Sequence, residues 1–285
     1  MGHEYHPGEL AVQDRAGVRA RASRVAGSIH DAVPEVAKAF LEQLRFVVVA
    51  TAGSDGRPWA SLLRGEPGFA RVPDPQTVRI AALPLPGDPL ADNLGVSRFA
   101  GLIAPDLAAR RRMRLNGRLE PTGDGAILLR ADQVYSNCPK YIQPRGREDA
   151  TVRPTPRLVS RAESLTDAQR AWVRRADTFF IATINPGEGA DASHRGGVPG
   201  FVAVEGDRLV WPDYAGNSMY NTLGNIAVHP RAGILIPDFE SGAVLQLTGR
   251  ASIDWDPGRA EAVPGAERLA ELVVEEVVEI AGALP

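Results

Sequence analysis

The chain has 285 residues and a formal net charge of −3, from 32 Lys plus Arg against 35 Asp plus Glu. That length suits two domains, each with its own core, and the charge gives no reason to expect nucleic acid or an anionic membrane as partner. A single cysteine, Cys138, excludes an intrachain disulfide and a cysteine-based zinc site; no metal is expected, and without a signal-like or membrane-length apolar run the expected location is cytoplasmic.

Residues 8–30 are polar and arginine-rich with scattered Val and Ala, which predicts a surface helix within an N-terminal helical extension, residues 1–33. Pro34 then opens a helix to Leu44, at the first-turn position where its missing N–H costs no hydrogen bond. Phe46–Thr51 reads as a strand, Gly53–Pro58 as a turn, and Trp59–Leu63, Thr77–Ala82, Ala100–Ile103 and Met113–Leu119 as further strands. They belong to a first unit, residues 34–143. The proline- and charge-rich stretch 144–165 reads as a linker.

Thr166-Asp167-Ala168-Gln169 is a capping-box pattern, opening a helix to about Ala176. Strands are expected at Phe179–Thr183, Ala192–Arg195, Arg208–Trp211, Gly233–Ile236 and Leu245–Ile253, within a second unit, residues 166–285. Leu272–Val278 is compatible with helix by composition, and is read as a last strand because Leu128–Val134 stands at the matching place in the first unit. Many short strands with one or two helices per unit predict a mainly β chain with flanking helices, built as small barrels.

The two units are copies. An offset of 132 residues lays Ala50-Thr51 on Ala182-Thr183, Ala60-Ser61 on Ala192-Ser193, and Gly65, Pro67, Gly68 and Phe69 on Gly197, Pro199, Gly200 and Phe201. It also matches Phe40 with Trp172, so each copy is expected to press one aromatic ring onto its own sheet. A short indel is expected to set Leu94-Gly95 on Leu223-Gly224 and hence Asp88 opposite Asn217. A repeat of this length is a whole domain rather than a solenoid unit. Two fused copies are expected to pack as a dimer would, leaving the site between them free to diverge on either side.

The second copy has the richer polar set. Ser193-His194-Arg195-Gly196-Gly197 puts a hydroxyl, an imidazole and a guanidinium on consecutive residues before two glycines. Ser with Arg suits a phosphate monoester, and Gly-Gly lets a ligand approach the backbone. Pro212-Asp213 and then Asn217, Ser218, Asn221 and Thr222 follow a strand at helix-start spacing, where anions bind. The same residue types also serve as ordinary turns and caps. No Ser/His/Asp ordering, Walker loop or dinucleotide fingerprint is present.

Asp191 to Phe201, Trp211-Pro212-Asp213-Tyr214, Gly216-Asn217, Thr222 to Asn225 and Leu245 to Arg250 resemble the flavin-nucleotide-binding branch of the pyridoxamine 5′-phosphate oxidase-like split-barrel superfamily. Pro58 to Ser61, Gly87 to Leu90 and Asn137 to Ile142 carry the same resemblance in the first copy. It implies two tandem split β-barrels packed as an intrachain pseudo-dimer, with FMN in the groove between them. On that resemblance Arg195 pairs with the phosphate and Ser193 donates to it, beside His194 and Gly196. Pro212 and Asp213 follow the flavin ring, Asn217, Asn221 and Thr222 complete the phosphate cradle, and Gln246 and Thr248 reach the ring from a neighbouring strand.

Two departures matter. Asn217 and Ser218 stand where the vitamin B6 oxidases carry an arginine-lysine pair, and no C-terminal substrate-binding Arg and His segment is found, so B6 oxidation is not expected. In the first copy Leu62-Leu63 replace His194-Arg195, so that site is expected to be degenerate, with Arg110-Arg111-Arg112 donating charge across the interface. The expected function is an FMN-binding flavoprotein and oxidoreductase taking a small-molecule substrate or a reductant such as NAD(P)H, as a monomer or a homodimer. A non-catalytic flavin carrier or sensor, or a barrel holding haem or F420, are the alternatives. His194 and Cys138 are the candidate catalytic residues; Cys138 precedes Lys140, whose charge would favour a thiolate.

Overall fold

The computed structural model describes residues 4–285 other than 121, 123, 137 and 147–154. Asn137 and part of the expected linker therefore lie outside the described residues.

Each repeat folds as one antiparallel sheet. In the first, β1 (Phe46–Ala52), β2 (Pro58–Arg64), β3 (Ala70–Asp74), β4 (Thr77–Ile80), β5 (Phe99–Asp106), β6 (Arg111–Glu120) and β7 (Ile127–Ser136) pair in the order β2-β1-β5-β6-β7-β4-β3. After β8 (Arg157–Ala162) come β9 (Thr178–Asn185), β10 (Gly189–Gly196), β11 (Ala203–Glu205), β12 (Arg208–Tyr214), β13 (Arg231–Asp238), β14 (Ala243–Asp254) and β15 (Ala266–Ala281). Their order, β10-β9-β13-β14-β15-β12-β11, repeats the first strand for strand. The helices are α1 (Pro7–Arg15), α2 (Arg19–Ala26), α3 (Glu35–Glu42), α4 (Leu90–Asn93), α5 (Asp167–Arg175), α6 (Asn221–Val228) and α7 (Pro257–Glu261). The chain is thus mainly β, a tandem duplication of the split-barrel fold.

The central strands are apolar on both faces for a reason. Val47 and Val49 of β1 face the core of their own repeat with Phe40, whereas Val48 and Ala50 face the other repeat. In β9, Phe179 and Ile181 join Trp172 in the second core, and Phe180 and Ala182 turn to the shared boundary. A strand buried on both sides reads as a continuous apolar run instead of an alternation. At about 1.5–3 kcal/mol for each large apolar side chain buried in full, Leu62, Ile103, Phe180 and Leu235 alone make separating the repeats costly.

Two glycines, offset by 132, show the pairing to be reciprocal. A Cβ on Gly101 of β5 would overlap the Asp191–Ala192 backbone of β10, and one on Gly233 of β13 would overlap the Pro58–Trp59 backbone of β2. Each copy thus presses the same strand onto the same partner strand of the other, as in an isologous dimer.

Four local expectations need correction. Residues 8–30 form two helices, broken at Gly17, whose φ of 69° no helix interior accepts. Nor is the first of them a surface helix: Glu9, Val12 and Gln13 are buried. Residues 157–162 of the expected linker are β8, which pairs with β15. Finally, no indel separates the repeats at the helix after β4 or β12. Asn93 Nδ2 donates to Thr51 Oγ1 at 3.1 Å and Asn225 Nδ2 to Thr183 Oγ1 at 3.0 Å, so the offset of 132 persists and Asp88 stands opposite Tyr220. Among the described residues no helix is long and apolar enough to cross a membrane.

Candidate functional site

β10 runs along the boundary with alternating side chains, so Asp191, Ser193 and Arg195 share one face and His194 takes the other. Around Asp191 the polar groups close on one another. Ser193 Oγ and Thr222 Oγ1 donate to Asp191 Oδ2 at 3.2 and 3.4 Å, and the Arg114 guanidinium, from β6 of the first repeat, forms an ion pair with Oδ1. Arg114 is 4% and Asp191 2% exposed, so losing one partner would leave the other charged, buried and unmatched.

His194 meets the first repeat on the opposite face. Its Nδ1 lies 2.8 Å from Arg112 Nη1. A guanidinium only donates, so Nδ1 accepts and the neutral ring carries its proton on Nε2. Burial, followed by the charges of Arg112, Arg195 and Arg145, holds the His194 pKa well below the usual histidine value. The ring is therefore a neutral Nε2–H donor, and that nitrogen is buried without a partner among the described residues.

Neither Arg112 nor Arg195 is in ion-pair contact with a carboxylate among the described residues. Arg112 also donates to the carbonyls of Cys138 and Lys140, at 2.9 and 3.5 Å. Arg195 gives Nη1 to the His194 carbonyl at 3.3 Å, and its buried Nε has no partner among the described residues. Asp213, whose charge acts on Arg195, is already paired with buried Arg268 at 2.6 Å. Burial raises the Asp213 carboxyl pKa, and the charges of Arg195 and Arg268 oppose that rise.

A cleft of about 310 Å³ collects these groups from both repeats. Ser193, His194, Arg195 and Gly196 of β10 line it with Pro212 and Asp213 of β12. Asn217, Asn221 and Thr222 line it from the loop and helix that follow, and Cys138 joins from the first repeat. Helix α6 begins only at Asn221, so Asn217 belongs to the loop, where its Oδ1 accepts from Met219 N at 3.0 Å. At the same cleft Tyr141 and Tyr214 stack at 5.0 Å between ring centres, and the Tyr141 hydroxyl donates to the Ala215 carbonyl at 3.1 Å.

Gln246 and Thr248 lie elsewhere. Gln246 Nε2 donates to the Ala60 carbonyl and Asp88 Oδ2, at 2.9 and 3.1 Å, and Thr248 Oγ1 to the Pro58 carbonyl at 2.8 Å. The offset of 132 makes Gln246 the counterpart of Arg114, and the reciprocal packing sends each into the groove of the other repeat. Arg114 is thus the cleft residue that reading along one repeat misses. The Leu-Asn-Gly-Arg and Leu-Thr-Gly-Arg echo, at residues 115–118 and 247–250, was the available signal.

In the twin groove apolar side chains stand at the cations' positions. Leu62, Leu63 and Val244, all fully buried, occupy the positions of His194, Arg195 and Arg112. A single carboxylate, Asp88, accepts from Ser61 Oγ at 2.6 Å, Leu90 N at 2.9 Å and Gln246. It fills the place that Asp191 holds in the second repeat, where the first has Trp59.

A family model described as pyridoxamine 5′-phosphate oxidase matches residues 33–157 and again 165–283. Among solved structures, the chain is similar to HupZ-V5-His6 of Group A Streptococcus, at 14% identity and a TM-score of 0.33, over 40% of this chain and 91% of that one. A FAD-binding protein (mll6688) of Mesorhizobium loti shares 13% identity, with a TM-score of 0.32, over 44% of this chain and 97% of that one. General Stress Protein 26 of Bacillus anthracis str. Sterne shares 12% identity, with a TM-score of 0.30, over 38% and 87%. No curated protein matches the chain. Matched in both halves by one family model, with the strand order of one half repeated in the other, the chain belongs to the pyridoxamine 5′-phosphate oxidase family as a tandem member.

Proposed function

We propose that this chain is a cytoplasmic FMN-dependent oxidoreductase that binds one FMN in the cleft of the second repeat. One observation carries the reading: Arg112 and Arg195 bring two guanidiniums into one cleft, neither in ion-pair contact with a carboxylate among the described residues. A phosphate ester supplies the missing charge and accepts several hydrogen bonds at once. Ser193 and Thr222 add hydroxyls to the same lining, and Asn217 and Asn221 come to it from the loop and the helix start that follow β12. The stretch at Pro212 and Asp213 offers backbone groups to the polar edge of a planar ring.

Flavin, when bound, supplies hydride or electron transfer, and the protein's part is position and electrostatics. His194 presents a fixed Nε2–H donor, so it selects a ligand with an acceptor at that point. Because that nitrogen carries the proton, it has no lone pair for iron, which weighs against a haem-binding role. Asn217 and Ser218 in place of the arginine-lysine pair weigh against vitamin B6 oxidation. The Tyr141–Tyr214 stack offers an aromatic edge for a small substrate or a reductant such as NAD(P)H. Both walls of the cleft come from one chain, so a monomer is expected to retain cofactor.

The deciding experiment is a visible absorption spectrum of freshly purified protein, with the released cofactor identified by mass. A two-band flavin spectrum and FMN at one per chain support the proposal. A Soret band, a deazaflavin mass, or a colourless protein that ignores added FMN each overturn it.

A further inference from the structure

The N-terminal segment grips the loop that lines the cleft. Helix α1 crosses α6 so closely that a Cβ on Gly8 would overlap the Gly224 carbonyl, and one on Gly224 would overlap the backbone of Glu9. From this crossing, fully buried Gln13 donates Nε2 to the Met219 carbonyl at 3.1 Å. Glu9 Oε1 accepts from Asn221 Nδ2 at 2.6 Å, and Arg21 of α2 donates to the Gly216 carbonyl at 3.1 Å. The capping box of His6 and Glu9 starts α1 in the place that makes these contacts.

The gripped loop is strained. Ser218 and Tyr220 have φ of 66° and 61°, in the left-handed region that residues with a Cβ avoid. Such conformations persist only where the surroundings over-determine them. Here the surroundings include the α1 contacts at Met219 and Asn221, on either side of Tyr220, beside the Arg268 guanidinium over the Tyr220 ring. Asn217, Ser218, Tyr220 and Asn221 all line the cleft.

We propose that residues 5–26 are a clasp that holds loop 215–221 in its ligand-binding shape, with Gln13 and Glu9 as positioning residues that act through Met219 and Asn221. The proposal rests on reading the cleft as the cofactor site. The clasp itself is a property of the free protein, which lets the two be tested apart.

The test uses the full chain as wild type, Gly8→Val and Gln13→Leu. Chymotrypsin cleavage after Tyr214 and Tyr220 is followed by mass in the cofactor-free proteins, beside the melting temperature and the affinity for added FMN. Losing the clasp opens the loop locally, so cleavage in the variants is expected to rise about tenfold while the main unfolding transition moves by only a few degrees. FMN affinity is expected to fall by about tenfold, close to 1.4 kcal/mol. Cleavage that stays at the wild-type rate, or faster cleavage with unchanged FMN affinity, overturns the clasp. If Gly8→Val does not fold, Gln13→Leu decides, since it removes one hydrogen bond and adds no bulk. If wild type binds no FMN, the functional proposal fails and the cleavage rates alone judge the clasp.

Discussion

Arg112 donates to Nδ1 of His194 at 2.8 Å, one residue from each repeat, and this contact sets the imidazole's tautomer. The His194 pKa is held down first by burial and then by the surrounding arginines. The unfolded chain binds that proton more readily, near the ordinary value of 6.5. His194 therefore adds stability that is present above pH 6.5 and lost as pH falls below it. Thermal melts from pH 8 to pH 5 are expected to show a declining melting temperature below 6.5, and His194→Gln to flatten that decline. A slope unchanged in the variant would assign the acid sensitivity to another group.

Asp88 has the opposite sign. Burial pushes its carboxyl up to about 6 from 3.8, against hydrogen bonds from Ser61, Leu90 and Gln246. A folded value above the unfolded one means that stability is full below about 3.8 and lost as pH rises through 6. Asp88→Asn keeps the shape and removes the buried charge. It is expected to stabilise the protein at pH 8 by roughly 2–3 kcal/mol and to change little at pH 4. Urea unfolding at the two pH values measures this, and equal effects at both would remove charge burial as the cause.

Much of this architecture was legible because duplication makes a sequence comment on itself. Val47-Val48-Val49 and Phe179-Phe180-Ile181 are strands apolar on both faces, and their positions at a common offset announced two equivalent sheets with a shared boundary. Nine of the residues expected at the cofactor site line one cleft, because Ser193 to Gly196 and Pro212 to Thr222 are short segments whose neighbours in sequence are neighbours in space. Gln246 and Thr248 lie in the other groove for a geometric reason. Offsets within a repeat say which residues are equivalent, and only the packing says that β14 faces β2 while β6 faces β10. The break at Gly17 and the pairing of β8 with β15 likewise depend on contacts made by segments with weak local pattern.

Arg195 tests the phosphate reading directly. Its buried Nε has no partner among the described residues, and its Nη1 donates to the His194 backbone carbonyl. Arg195→Ala is expected to weaken FMN binding by about 1.5–3 kcal/mol, the usual range for a hydrogen bond to a charged group. Arg195→Lys is expected to recover part of this, since it restores charge without the planar fork. Fluorescence titration with FMN and with riboflavin separates the phosphate from the ring: the loss belongs to FMN alone. An equal loss for riboflavin would move Arg195 away from the phosphate.

Gly101 and Gly233 test the reciprocal packing on which the cleft depends. Both are expected to reject a side chain, because in each the place of the missing Cβ is taken by backbone of the opposite repeat, which cannot swing aside as a flexible side chain would. Gly101→Val forces Asp191 and Ala192 away from β5, and with them the strand that carries Ser193, His194 and Arg195. Overpacking of this kind typically costs about 1–3 kcal/mol, and the loss is expected to appear as a lower melting temperature together with weaker FMN binding. Gly189→Ala, in the same strand but with nothing within 4 Å of the point where its Cβ would stand, serves as the control and is expected to be nearly neutral. If Gly101→Val melts as wild type and binds FMN as well, the two repeats do not meet at β5 and β10, and the cleft between them has to be built another way.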